Sequence, residues 1–96
     1  MPITPLNTIF KQPSEKLSLG VNFANMVQTG ETISSPVMTS EPSGELTTTI
    51  ISSTGNIVYF WAEDGVHGTD YRIEIVADTS GGEILEADVV LRVRER

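Results

Sequence analysis

TDYRIEIVADTSGGEILEADVVLRVR, residues 69–94, holds two runs of period-two alternation on either side of a turn. In Thr69 to Asp78, Tyr71, Ile73, Ile75 and Ala77 share one face, and Arg72, Glu74 and Asp78 share the other. Thr79-Ser80-Gly81-Gly82 supplies a hairpin turn with two glycines free to take positive φ. The return run, Ile84 to Arg94, sends Leu85, Ala87, Val89, Leu91 and Val93 inward, and Glu86, Asp88, Arg92 and Arg94 outward. Side chains of a strand point alternately to opposite faces, so this is a long antiparallel hairpin with one dry face. A dry sheet face needs a second layer to cover it.

Just upstream lies IVYFWA, residues 57–62, apolar at every position. Alternation puts Val58, Phe60 and Ala62 on one face and Ile57, Tyr59 and Trp61 on the other. The first set is expected in the core, which leaves the second outside. Further upstream, Leu17 to Phe23 alternates Leu17, Leu19, Val21 and Phe23 with Ser18, Gly20 and Asn22, the pattern of a half-buried strand. Ala24 to Gln28 is read as one helical turn that closes an end of the core with Met26 and Val27, and Gly30 then reverses the chain. Thr32 to Thr39 is a weaker strand with Ile33 and Val37 on one side and Pro36 marking an edge or bulge. SEPSGE, residues 40–45, is turn chemistry. Leu46 to Ser52 is a Thr/Ile strand, Thr54-Gly55-Asn56 turns into the aromatic strand, and Glu63 to Gly68 is a loop.

At the start, Pro2, Pro5 and Pro13 each lack an N–H, so residues 1–16 read as an extended arm, with Leu6 to Phe10 as an edge strand. Residues 17–96 form a single β-sandwich domain on this reading. Ninety-six residues suffice for one modest core, and with no cysteine there is no disulfide to reinforce it. Six to seven strands without room for crossover helices give an all-β, immunoglobulin-like antiparallel sandwich. The Cys–Trp–Cys core of antibody domains is absent. Tyr71, after Gly68-Thr69-Asp70, sits where sandwiches place a tyrosine whose hydroxyl bonds back to upstream backbone; a plain core aromatic is the alternative. The chain starts at Met, lacks a basic, apolar leader, and reads as a whole gene product without a signal peptide.

The net charge of −7 repels DNA and anionic membranes on average, so neither nucleic acid nor membrane is expected as a partner. Arg92, Arg94 and Arg96 crowd the C-terminus; they read as the solvated face of a last strand, or as a basic spot for an acidic partner. The residues for chemistry are sparse. His67, the one histidine, lies in a loop without a nucleophile elbow elsewhere in the sequence. Cys/His metal cages are excluded by counting. Glu63, Asp64, Asp70 and Asp78 lack the spacing of a calcium loop and read as solvated acids. No catalytic residue, cofactor site or metal site is assigned, and the chain is read as a non-enzyme.

The order of several short motifs resembles a known family. Phe23-Ala24-Asn25-Met26-Val27 followed by Gly30-Glu31-Thr32-Ile33, then Trp61-Ala62-Glu63-Asp64-Gly65, Gly68-Thr69-Asp70-Tyr71-Arg72-Ile73, Thr79-Ser80-Gly81-Gly82 and Leu91-Arg92-Val93-Arg94-Glu95 are similar to those of small phage and prophage virion-associated proteins. Ala62 stands where that pattern has a larger aliphatic residue. The resemblance spans most of residues 11–95 and implies an immunoglobulin-like fold, a place in the virion after synthesis in the host cytoplasm, and a structural role without catalysis. Head decoration, head–tail and tail accessory roles all fit it. Other virion proteins are the implied partners, with a homo-oligomer, trimer or ring, as the expected state.

The outward set Ile57, Tyr59 and Trp61 is the candidate partner-binding surface, because Tyr and Trp are enriched in buried anchors of protein interfaces. Two readings remain open at this stage. Either the face is covered within the chain, by the arm folding back through Ile3, Leu6, Ile9 or Phe10 or by loops against a twisted edge strand, or it meets another chain, and an arm with Ile9 and Phe10 supplied by a neighbouring copy satisfies both. A different class of function uses the same residues: an adhesin-like carbohydrate- or surface-binding module, with Trp61 and Tyr59 stacking on sugar rings and Glu63 and Asp64 bonding hydroxyls.

Overall fold

The computed structural model describes residues 7–95. It is all-β, with two sheets face to face. The elements are β1 (Asn7–Lys11), β2 (Leu17–Asn22), β3 (Ile33–Glu41), β4 (Leu46–Thr54), β5 (Ile57–Asp64), β6 (Asp70–Thr79) and β7 (Ile84–Val93). One sheet has the order β1-β7-β6-β3 and the other β2-β5-β4. All pairings are antiparallel except β1 on β7, which is parallel. Among the described residues no helix is long and apolar enough to cross a membrane.

The β6–β7 hairpin forms as its alternation requires, with Tyr71 opposite Leu91, Ile73 opposite Val89 and Ile75 opposite Ala87. These six are buried, and Val58, Phe60 and Ala62 of β5 meet them from the other sheet. Phe23 caps one end of the core. Removing a side chain such as Phe60 leaves a cavity worth about 3–5 kcal/mol. The 24–28 segment is a turn rather than a helix: the Met26 and Val27 N–H groups both donate to the Phe23 carbonyl, at 2.8 and 3.2 Å. Met26 and Val27 still pack on the core.

Two expectations fail in detail. Ile33 and Val37 do not share a side. Ile33 is buried while Val37 is exposed, because a bulge between Ser34 and Val37 adds one residue against β6 and reverses the alternation. Ser35, at φ 52°, and Pro36 lie within it. The hairpin turn needs only one positive φ, at Gly82 (94°); Gly81 serves differently, since the Glu31 carboxylate occupies the space its Cβ would fill.

Two buried polar groups lock the connections between sheets. The Tyr71 hydroxyl accepts the Val66 N–H at 2.8 Å and donates to Glu45 Oε1 at 2.7 Å, so it binds the β5–β6 and β3–β4 connections together. Gly65 beside it takes φ 97°, and a Cβ there would stand 2.8 Å from Val93 Cγ2. At the other edge, the Lys11 ammonium is buried and donates to the carbonyls of Asp64, Gln12 and Pro13 at 2.6, 2.9 and 3.2 Å. It ties β1 of one sheet to the end of β5 in the other.

Candidate functional site

The outer face of β2-β5-β4 is where the aromatic strand emerges. Register places Ser18 and Thr49 on either side of Trp61, and Gly20 and Ser52 on either side of Tyr59. Ile57 lies between Asn22 and Thr54. The two rings therefore stand above a bed of small side chains, and their exposures of 39% for Tyr59 and 36% for Trp61 follow from that. Tyr59 leans toward β2: a Cβ on Gly20 would meet two carbons of its ring edge at 3.2 Å.

One end of this strip is charged. Lys16 Nζ sits 4.8 Å from the centre of the Trp61 ring and 3.8 Å from Glu63 Oε1. A cation over an indole face gains about 0.5–1 kcal/mol at an exposed site. Thr47 Oγ1 donates to Asp64 Oδ2 at 2.7 Å on the neighbouring strand. The other end is closed by the β4–β5 turn, where the Asn56 side chain accepts the Ile33 N–H at 3.0 Å and donates to the Glu31 carbonyl at 3.3 Å.

Ile57, Tyr59 and Trp61 are thus brought together, and Ile9 and Phe10 are not with them. Both belong to β1, at the edge of the other sheet. Ile9 packs on the core and Phe10 is 52% exposed on the far outer face, opposite Arg92. The arm residues described here do not cover the aromatic strip; Ile3 and Leu6 lie outside the described residues. Gly20, Ser18, Thr49 and Lys16 shape the strip and were not singled out from sequence. Only register identifies them, and alternation within one strand does not give the register between strands.

Asp70 and His67, both noted in the sequence, have local partners. Asp70 pairs with Arg94 at 2.8 Å and Arg92 at 3.6 Å, which leaves the C-terminal arginines on the sheet surface. His67 Nδ1 accepts the Glu95 N–H at 2.9 Å. On the outer face of the β1-β7-β6-β3 sheet, Glu74, Glu86 and Asp88 bring one oxygen each within 4.8 Å of one another. Asp88 is nearly buried and paired with Arg72 at 2.5 Å. Loss of solvent and then the charges of Glu74 and Asp88 raise the pKa of Glu86, and hydrogen bonds to both neighbours act in the same direction. The Arg72 guanidinium on Asp88 offsets part of the repulsion among the three carboxyls.

The family model that matches this chain is Gp77, described as "Podophage GP4 fiber-tail adaptor protein gp77", over residues 11–92. No curated protein matches it. The matched span takes in β2 to β6 and nearly all of β7, and with them the whole aromatic strip.

Proposed function

The chain belongs to the Gp77 family of podophage fiber-tail adaptor proteins and is a structural component of the phage tail, and we propose that it works as a rigid, non-enzymatic bracket whose β2-β5-β4 face seats on another tail protein. The observation that carries this reading is the pair Tyr59 and Trp61, standing over the small residues Gly20, Ser18 and Thr49 with Ile57 beside them. Aromatic side chains raised above small neighbours fill pockets on a partner, and their burial is worth more than that of any other residue on this face. Repetition around a symmetric tail would let modest contacts of this kind add. Head decoration lacks support of this kind, since the family description points to the tail and fibre.

Sugar stacking by the same residues fits less well. Lys16 already lies over the Trp61 ring, so a pyranose would have to displace a cation from it. A protein partner with an acceptor for Lys16 keeps that contact.

The test uses tail particles assembled without this chain, to which the purified protein is added back. Wild type is expected to be incorporated, and Tyr59→Ala/Trp61→Ala to lose incorporation at least tenfold with an unchanged far-UV circular-dichroism spectrum. Equal incorporation of the double variant overturns the proposal. Retained incorporation of the variant, with loss of glycan-array binding seen for wild type, points instead to the adhesin reading.

A further inference from the structure

The sheet β2-β5-β4 ends on β4, and among the described residues no strand pairs with its outer edge. That edge runs nine residues, LTTTIISST, with no charge and no proline. Exposed edges are ordinarily blunted by lysine, proline, bulges or shortness, because a row of free N–H and C=O groups accepts any extended strand. The other edges are treated that way. β3 carries Pro36, a bulge and Glu41. β1 is five residues long, and β2 is six, with Gly20 inside it and Lys16 before it. β4 also carries one bulge, between Ile50 and Ser52, but neither a charge nor a proline accompanies it, and it leaves Ile50 and Ile51 exposed at 37% and 47%.

We propose that β4 pairs antiparallel with β4 of a second copy of this chain, about a two-fold axis near Ile50, to give the continuous sheet β2-β5-β4-β4′-β5′-β2′. Charge selects both the occupant and the direction. The chain carries −7, so two copies repel across most approaches, yet residues 46–62 contain no Asp, Glu, Lys, Arg or His. Two strands of this kind side by side span about 10 Å, the screening length at 0.1 M salt. The acids near β4 gather at one end: Glu45 precedes it, and Thr47 and Leu46 lie opposite Glu63 and Asp64. Parallel pairing would stack these on their copies. Antiparallel pairing sets them against the uncharged Gly55-Asn56 turn instead. Glu31, whose carbonyl binds Asn56, turns its carboxylate onto Gly81.

The pairing would cover Ile50 and Ile51, setting Ile50 opposite its copy and Thr49 opposite Ile51, with Thr48 and Thr47 opposite Ser52 and Ser53. It leaves Tyr59 and Trp61 of both copies on one outer face. A single strand edge buries an area at the low end of specific interfaces, so the dimer is concentration-dependent and gains from attachment to a common tail. The inference concerns the isolated chain and does not depend on the adaptor reading.

Sedimentation equilibrium of the full chain tests it. The mass is expected to double as concentration rises into the high micromolar range. Thr49→Lys/Ile51→Lys, which sets like charges opposite each other across the axis, is expected to stay monomeric with an unchanged circular-dichroism spectrum. A wild type that remains monomeric overturns the proposal, as does a double variant that dimerises like wild type. Because the sequence has no cysteine, Ile50→Cys locates the contact independently. Copper–phenanthroline oxidation is expected to link it into a covalent dimer, while Ser18→Cys on the opposite edge stays unlinked. The reverse pattern also overturns it.

Discussion

Tyr59 and Gly20 face each other across the β2–β5 pair, and the ring edge lies so near the glycine that a Cβ there would sit 3.2 Å from two ring carbons and 3.3 Å from Ile57 Cγ2. Gly20 is not in a left-handed conformation, so the backbone would accept other residues. What the glycine provides is room for the ring. Gly20→Ala is expected to change stability by less than about 1 kcal/mol, because the entropy gained by removing glycine offsets the tight contact. Gly20→Val is expected to displace Tyr59 and weaken incorporation into tails without unfolding the chain. Tyrosine fluorescence and the add-back assay report these effects; wild-type incorporation by Gly20→Val would show that the ring position is immaterial.

Tyr71→Phe keeps the buried ring and removes one hydroxyl, leaving the Val66 N–H and the Glu45 carboxylate without that partner. Hydrogen bonds to charged groups are worth about 1.5–3 kcal/mol, and water reaches the exposed Glu45 side chain, so a loss of about 1–2 kcal/mol is expected. Urea denaturation measures it. A variant as stable as wild type would mean that the hydroxyl does not hold the two connections together.

Glu86 gives a pH dependence of definite sign. Its folded-state pKa is raised above 4.5, first by loss of solvent and then by Glu74 and Asp88. The folded state therefore keeps this proton longer than the unfolded chain does. Its contribution is present below pH 4.5 and is lost as pH rises through the raised value. Glu86→Gln is expected to melt higher than wild type at neutral pH, with the gap closing as the solution is acidified toward pH 4. Melting curves at a series of pH values that keep a constant gap would refute the raised pKa of Glu86.

The alternation in residues 69–94 was enough to fix the hairpin and its inward face, and alternation in 57–62 separated Phe60 from Tyr59 and Trp61. Both are properties of a single strand. What escaped the sequence is relational. The phase of Val37 was lost because one extra residue near Pro36 inverts every side chain after it. Phe10 and Ile9 were grouped with the aromatic strip because nothing local says that β1 lies parallel on β7, across the sandwich from Trp61. Gly20 reads as a weak point in a strand until the register sets it under Tyr59. The open edge of β4 was invisible for the same reason: an uncharged Thr/Ile run is unremarkable until the sheet order leaves it unpaired.

Lys11 was hidden in the sequence by its chemistry, although its spacing from Ile9 placed both on one face. The structure buries it and supplies three carbonyl acceptors, one from the far sheet. Burial lowers its pKa below 10.5, and Asp64, Glu15 and Glu63 partly oppose that shift. Lys11→Met retains much of the stem volume but takes its donor from the Asp64 and Pro13 carbonyls, while the Gln12 carbonyl keeps the Glu15 N–H. Relief from desolvating a charge offsets part of that cost, and a net loss of about 2–3 kcal/mol is expected. For a domain of this size it corresponds to a fall in Tm of roughly 8–24 °C. Amide exchange should rise first in β1, whose attachment to the second sheet the ammonium provides. Because the folded state gives up this proton before the unfolded chain does, the Lys11 contribution rises with pH toward 10.5, and the deficit of Lys11→Met should widen in alkaline buffer. A Met variant equal to wild type in denaturant and in β1 exchange would mean that the three bonds only balance the cost of burying the charge.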